Sequence, residues 1–490
     1  MTKYVHRRWG SVGVAVAVAV GVTFSTIPSS GAAAPLVRAA TIGATDWATY
    51  EHGPAHSSAT VGDAAITLSN AASLHALWTF KAGPATAKGQ PGPDFDASPT
   101  VVNGVVYIGS RTGDFYAVNV ATGAMIWQRQ LDYGSNTVCP SKGIVGTATV
   151  AADPVTGALT VYAPGAHYLY ALSAATGAVL WKQAIGPATA TGEARYFNWA
   201  SPTVVGGHIY IGLAANCEAD LIRGGVVELN QHSGKLLHTY YAVPAGKVGA
   251  SVWSSVATDG TSVWVTTGNP DPSGTAVYQG FSIVRLSAAT LAVQDIWTLP
   301  ASFTIDLDFG SSPTLFTPIV AGVATDMVAA CNKNGVFYAW KRQSLGSGPA
   351  WQIQAGTADG PTGACLTSAA YYGSAQQMFL AANQTTIATK TVPGSLRSLN
   401  PATGAVLWQQ PLACMPNGSP TLNATTHVLA VPLYDPCSAT GKPGVALYNA
   451  TSGALLTTLT TAGSEFAQPV FAEGKLFVAD ESGALTSYGP

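Results

Sequence analysis

Two stretches of this 490-residue chain gather reactive side chains among turn-forming residues. Cys217–Pro244, CEADLIRGGVVELNQHSGKLLHTYYAVP, puts a carboxylate (Glu218) and a guanidinium (Arg223) in a loop just before a strand-like run. Trp253–Pro272, WSSVATDGTSVWVTTGNPDP, opens a strand signal with an indole (Trp253) and ends in Gly-Asn-Pro-Asp-Pro, which contains Asn269. A carboxylate and an amide oxygen are ligands for a hard cation, a carboxylate also accepts protons, and an indole offers a flat face for stacking. Each has an ordinary reading as well: a solvated loop whose Arg223 pairs with an acid, a plain turn at Asn269, and a core position for Trp253. His52 and His56 are four residues apart in Ala44–Ser58, ATDWATYEHGPAHSS. Nothing there is helical, so that spacing does not align the rings on one face, and an arm packed against the rest of the fold is expected rather than a metal site.

The elements that must position these residues come from a repeat. Phe115–Trp127, FYAVNVATGAMIW, reads as a strand, a tight turn and a second strand, with Gly123 free to take the left-handed conformation of a three-residue bulged hairpin. An isolated hairpin leaves its apolar faces wet, so other copies must cover it. LYALSAATGAVLW ends at Trp181 and LRSLNPATGAVLW at Trp408, with looser copies near Tyr240, Trp297, Trp351 and Leu459. The tryptophans are spaced 49 (78 to 127), 54 (127 to 181), 54 (297 to 351) and 57 (351 to 408) residues apart. A period of about fifty residues, with several strand signals and no helical stretch, means propeller blades. A half-copy, LHALWTF at Trp78, and a complementary half, GALTSYG at Ser482–Gly489, form an eighth blade split between distant parts of the chain. The expected fold is all-β: an eight-bladed propeller of four-stranded antiparallel blades, closed by pairing Leu74–Phe80 with the C-terminal strands. The recurrent tryptophans are expected to pack between neighbouring blades.

Met1–Ala34 has the pattern of an export signal: Lys3, Arg7 and Arg8, then the apolar Ser11–Phe24, then small residues. Fourteen apolar residues are short for a membrane span, so the mature chain, residues 35–490, is expected to be secreted or extracytoplasmic without one. No linker interrupts the blade rhythm, which makes those residues a single domain. Only 9% of residues are charged and the net charge is −2, which excludes a basic face for nucleic acid. Six cysteines suit an oxidising compartment. Fifteen pairings are possible; Cys139–Cys217, Cys331–Cys365 and Cys414–Cys437 join neighbours in the expected fold.

Most of the mature chain resembles the pyrroloquinoline quinone (PQQ) propellers, in particular the quinoprotein alcohol dehydrogenases. Those enzymes carry a Gly-Ala-Glu loop before an Arg-Gly strand, and ANCEADLIRGG is similar; the resemblance makes Glu218 a calcium ligand. Their Gly-Thr-Gly-Asn-Pro turn resembles Thr267-Gly268-Asn269-Pro270 and makes Asn269 a second ligand. The tryptophan upstream of that turn is the floor under the cofactor, which Trp253 resembles. Asn332–Tyr338, NKNGVFY, is similar to the segment whose basic residue touches the quinone oxygens, implicating Lys333. Thr304–Phe309, TIDLDF, falls where the family has its catalytic aspartate in a His-Asp-x-Trp-Asp pattern; histidine and tryptophan are absent, which leaves both Asp306 and Asp308 as candidates. The resemblance implies PQQ and calcium as cofactors and oxidation of a small-molecule alcohol or carbohydrate. The family's adjacent cysteine pair is reduced here to Cys139-Pro140, and no Cys-x-x-Cys-His haem motif occurs, so electrons would pass to a separate acceptor. The competing expectation is a non-catalytic propeller that scaffolds protein contacts, or that binds a carbohydrate or polymer without oxidising it. An open funnel lined by Glu218, Asn269 and Trp253 favours the enzyme, whereas a channel filled by loops favours the scaffold.

Overall fold

The computed structural model describes residues 41–84, 91–134, 142–187, 196–218, 221–274, 276–300, 306–357 and 363–490. The expected export signal and Cys139 lie outside them. The chain forms eight antiparallel blades, and its only helical elements among the described residues are short 3-10 turns. Blade one, Thr100–Val102, Val105–Gly109, Asp114–Asn119 and Met125–Gln130, sets the pattern. Blade eight closes the propeller: His75–Lys81 pairs antiparallel with Ala484–Gly489, outside Lys475–Ala479 and Val470–Ala472. The split repeat thus forms one sheet, as its two halves imply.

Alternation along each strand buries one row of side chains against each neighbouring blade. Val106, Ile108 and Tyr116 of blade one, for example, pack with Val470, Phe477 and Leu485 of blade eight. The hairpin tryptophans are the joints between blades. The Trp78 ring lies on Gly123 of the next blade, Trp127 on Gly177, Trp181 on Gly234, Trp351 on Gly404 and Trp408 on Gly453. Each of these glycines has φ between +66° and +73°, and an added Cβ would stand 2.5–2.8 Å from the indole. Two requirements, left-handed backbone and close approach, therefore select glycine there. The indole N–H groups of Trp78, Trp127, Trp351 and Trp408 donate to backbone carbonyls of the adjacent blade at 2.9–3.1 Å.

Around the axis, residues two positions before the innermost strands hold their neighbours. The backbone N–H of Gln468 donates to Ser98 Oγ, that of Ser98 to Thr147 Oγ1, Thr147 to Ser201 Oγ, Ser201 to Ser255 Oγ, and Ser255 to Ser312 Oγ, all at 2.9–3.0 Å. The lead-in segment runs inside this circle. Carbonyls of Thr45, Trp47, Ala48, Pro54, Ala55, Ser57 and Ser58 accept from N–H groups of blades eight, one, two, four, five, six and seven respectively. Ala59–Thr60 then adds a short parallel strand to blade seven. The arm expected from sequence is therefore a belt across the centre of the propeller. It brings Glu51, fully buried at φ +49°, against Ser419, whose Oγ donates to Glu51 Oε1 at 2.9 Å.

Two of the expected disulfides are formed, Cys331–Cys365 and Cys414–Cys437. Cys217 is also disulfide-bonded.

Candidate functional site

In a four-stranded meander, the connections from strand two to three and from strand four to the next blade emerge on the same face. All six candidate residues fall in such connections of blades three to five. Glu218 follows His208–Leu213 and precedes Gly225–Asn230; Asn269 follows Ser262–Thr266 and precedes Ser282–Ser287; Lys333 lies between Met327–Cys331 and Val336–Lys341. Trp253 and the Asp306/Asp308 pair precede the inner strands Ala257–Thr258 and Thr314–Phe316. The loops are stitched together by main-chain bonds: Ala250 N–H to Asn269 O at 2.6 Å, Lys333 N–H to Asp308 O at 3.1 Å, and a bridge between Phe309 and Asn332.

The six side chains converge on one cavity of 430 Å³, which Trp199, Ala215, Cys217 and Ser251 also line. Asn269 Nδ2 donates to Glu218 Oε2 at 3.1 Å and to Asp306 Oδ1 at 2.8 Å, closing a gap of 51 residues in sequence. Lys333 Nζ bridges the aspartates, at 2.9 Å from Asp306 Oδ2 and 2.7 Å from Asp308 Oδ1, and stands 5.4 Å from the centre of the Trp253 ring. The Trp253 indole N–H donates to Asp308 Oδ2 at 2.6 Å.

The two aspartates are chemically distinct. Asp308 is buried, and burial pushes its carboxyl up to about 7, with Lys333 pulling the other way and Asp306 and Glu218 adding to the rise. The Asp306 side chain is 39% exposed toward the cleft. Its partial burial works upward, but the Lys333 ammonium and the Asn269 amide outweigh that and hold it below the usual carboxylate range. Glu218 is raised, chiefly by burial. Burial alone would lower Lys333; Asp308 and Asp306 more than reverse this, so it stays a cation.

Three oxygen-bearing side chains, Glu218, Asn269 and Asp306, thus face one another, and the Asn269 amide oxygen is buried without a partner. The amide N–H lies between the two carboxylates; turned over, the amide would present that oxygen there instead, and the resulting hard-oxygen donor set fits an ion such as calcium. Among the described residues no three acidic, histidine or cysteine side chains are grouped tightly enough to hold a metal alone, so a bound ligand would have to complete the coordination.

Sequence reasoning missed Trp199. It lines the same cleft, donates its indole N–H to Ala215 O at 3.0 Å and carries the Lys142 ammonium 4.5 Å from its ring centre. Its signal was available: it stands two residues before Ser201, as Trp253 stands two before Ser255, one repeat of 54 (199 to 253) away. Arg223 departs from its expected pairing with an acid. Among the described residues no carboxylate lies within ion-pair distance of it; its Nε–H donates to Val243 O at 2.8 Å instead, because the loop folds the guanidinium back onto its own blade.

Residues 47–355 match the family model for the glucose/ethanol/alcohol dehydrogenase β-propeller domain, the PQQ type. This chain belongs to that family. Among solved structures, the quinohemoprotein alcohol dehydrogenase from Comamonas testosteroni is similar at 17% identity and a TM-score of 0.71, covering 91% of this chain and 80% of that one. A europium-containing methanol dehydrogenase is similar at 14% identity and 0.71, covering 91% and 98%. BamB from Moraxella catarrhalis is similar at 15% and 0.54, covering 85% and 100%. At these identities the likeness to solved structures is one of fold. No curated protein sequence matches the chain. No helix among the described residues of this quinoprotein-type propeller is long and apolar enough to cross a membrane.

Proposed function

We propose that the protein is an exported oxidoreductase that uses PQQ and calcium to oxidise an alcohol or sugar-like substrate. The observation that carries this reading is the convergence of Glu218, Asn269, Trp253, Lys333 and Asp306 on one open cleft from three different blades. Glu218 and Asn269 would hold the ion, and Trp253 would underlie the cofactor ring. PQQ, when bound, supplies a quinone that accepts a hydride. Lys333 presents a permanent cation to oxygen atoms in the cleft and stabilises negative charge there. Asp306 is the better general base of the pair. It faces the cleft and stays ionised, and its Oδ2, which accepts from Lys333, has a further lone pair for a substrate hydroxyl proton. Asp308 is a positioning residue: between the Trp253 N–H and the Lys333 ammonium, it fixes the floor and the cation together.

The test is an absorbance titration of purified protein with PQQ in the presence and absence of calcium, followed by turnover of alcohols with an artificial electron acceptor. Calcium-dependent PQQ binding is expected, weakened by Glu218→Ala. Asp306→Asn is expected to retain binding and lose turnover. Absence of PQQ binding with calcium present, or with europium in its place, would overturn the proposal. A scaffold or polymer-binding role is favoured by one observation, the lead-in belt whose carbonyls are bonded to seven of the eight blades; it predicts a folded protein that ignores PQQ.

A further inference from the structure

Arg223 stands in an unusual position. Its guanidinium is fixed in two ways: Nε–H donates to Val243 O at 2.8 Å, and Cζ stacks 3.8 Å from the centre of the Tyr241 ring. The main chain of Arg223 is held as well, its carbonyl accepting from the Tyr196 hydroxyl. These contacts leave both Nη groups without a partner among the described residues, although a guanidinium is a strong donor whose two outer nitrogens form a planar fork. The fork opens on a separate groove of 420 Å³ lined by Arg223, Tyr241, Ala242, Val243, Pro244, Tyr278 and Gln279. Among the described residues Arg223 is the only charged one in that lining.

The opposite wall is built at a cost. Tyr278 is 40% exposed, yet its backbone is left-handed, φ +50°, a conformation that bulky residues rarely adopt. Gln279 next to it is anchored by three bonds, from its N–H to Ala242 O, from Thr267 Oγ1 to its carbonyl, and from the Tyr240 hydroxyl to its Oε1. The last of these leaves its Nε2 amide hydrogens available. The groove thus offers one oriented cation, one amide donor, two phenol rings and an apolar strip.

We propose that this groove binds a small organic carboxylate with a flat or apolar body. The carboxylate's two oxygens match the Nη fork, and its body lies among Tyr241, Tyr278 and Pro244. A single positive charge balances a monoanion, whereas phosphate dianions usually draw several cations or a nest of backbone N–H groups. The groove is distinct from the cofactor cleft but shares its supports: Arg223 bridges to Gly249, and Gly249 bridges to Pro270, the residue after Asn269. The proposal does not depend on the cofactor reading.

Calorimetry on cofactor-free, metal-free protein tests it, with benzoate, its neutral analogue benzamide, and inorganic phosphate as probes. Benzoate is expected to bind at least tenfold more tightly than either of the others. Arg223→Gln should remove that preference and leave benzamide unaffected, whereas Tyr278→Gly, which suits the left-handed turn, should weaken both aromatic probes. No benzoate binding, equal affinity for benzamide, phosphate binding as tight as benzoate, or an unchanged Arg223→Gln variant would each overturn the assignment. Should Arg223→Gln not fold, Arg223→Lys decides: it keeps the charge but loses the fork, and undiminished benzoate affinity would refute the proposal. Because PQQ is absent from this experiment, its failure leaves the cofactor reading untouched, and the reverse holds.

Discussion

Replacing Glu51 by glutamine should make the stability of the propeller less sensitive to alkaline pH. Burial raises this carboxyl from 4.5 to about 8, against the opposing hydrogen bonds from Ser368, Ser419 and Tyr50. In the unfolded chain the group loses its proton near 4.5, while the folded protein keeps it until about 8. Across that window the folded state binds more protons, so unfolding becomes easier as pH rises, and the loss levels off above the folded value. A shift from 4.5 to 8 corresponds to about 5 kcal/mol at most, at 1.36 kcal/mol per unit. With an unfolding entropy of roughly 2.1 cal/mol/K per residue over about 450 residues, this is a change on the order of 5 °C in melting temperature. Glutamine keeps an acceptor for Ser419 and does not titrate. Nearby His56, with Nδ1 3.8 Å from Glu51 Oε2 and 3.0 Å from Pro313 O, is lowered by burial to about 4. It is therefore neutral through most of the window, and its own titration is common to both proteins. Scanning calorimetry at pH 5 and pH 9, which spans most of that change, should show Glu51→Gln gaining about 4 °C on the wild type between the two conditions. A melting difference independent of pH would refute the reasoning.

Three further outcomes test the architecture. Gly404→Ala puts a methyl 2.5 Å from the Trp351 ring at φ +71° and should cost roughly 1–3 kcal/mol, read as an earlier denaturant midpoint with unchanged slope. Deleting Ser482–Pro490 strips the partner of His75–Lys81 and should lower thermal stability cooperatively; an unchanged melt would deny that this pairing closes the propeller. Replacing Cys331 and Cys365 by alanine opens a loop of 34 residues and should cost about 3–4 kcal/mol in chemical denaturation.

The fold was legible because most blades repeat one instruction, a hairpin with a left-handed turn residue, and in five of the joints a tryptophan meets the glycine of the next blade. Pairing of Cys331 with Cys365 and of Cys414 with Cys437 followed from placing neighbours in that fold. The site was legible in part, since Glu218, Asn269, Trp253 and Lys333 sit in turns with residues that a plain blade does not require. The difference between Asp306 and Asp308 was not. They are two residues apart in one loop, and only the packing of Phe309 and the reach of the Trp253 N–H decide which carboxylate is buried. Nor did local pattern disclose Glu51, because burying a charged residue on an irregular arm contradicts every compositional expectation. Its environment is made by hydroxyls from blades distant in sequence.

The eighth blade also sets an order of events. Thr79 and Thr486, whose hydroxyls meet at 3.0 Å, are 407 residues apart. At about 5–20 residues per second, strand His75–Lys81 is synthesised roughly 20–80 s before its partner exists. For that interval it is an unpaired edge on an unfinished arc, and the slow closure typical of long-range pairing cannot begin. Its side chains suit the wait: His75, Thr79 and Lys81 interrupt the apolar residues, as guarded edges do. The strand Ala484–Gly489 is therefore the latch, and the blades made before it must remain soluble while still an open curve.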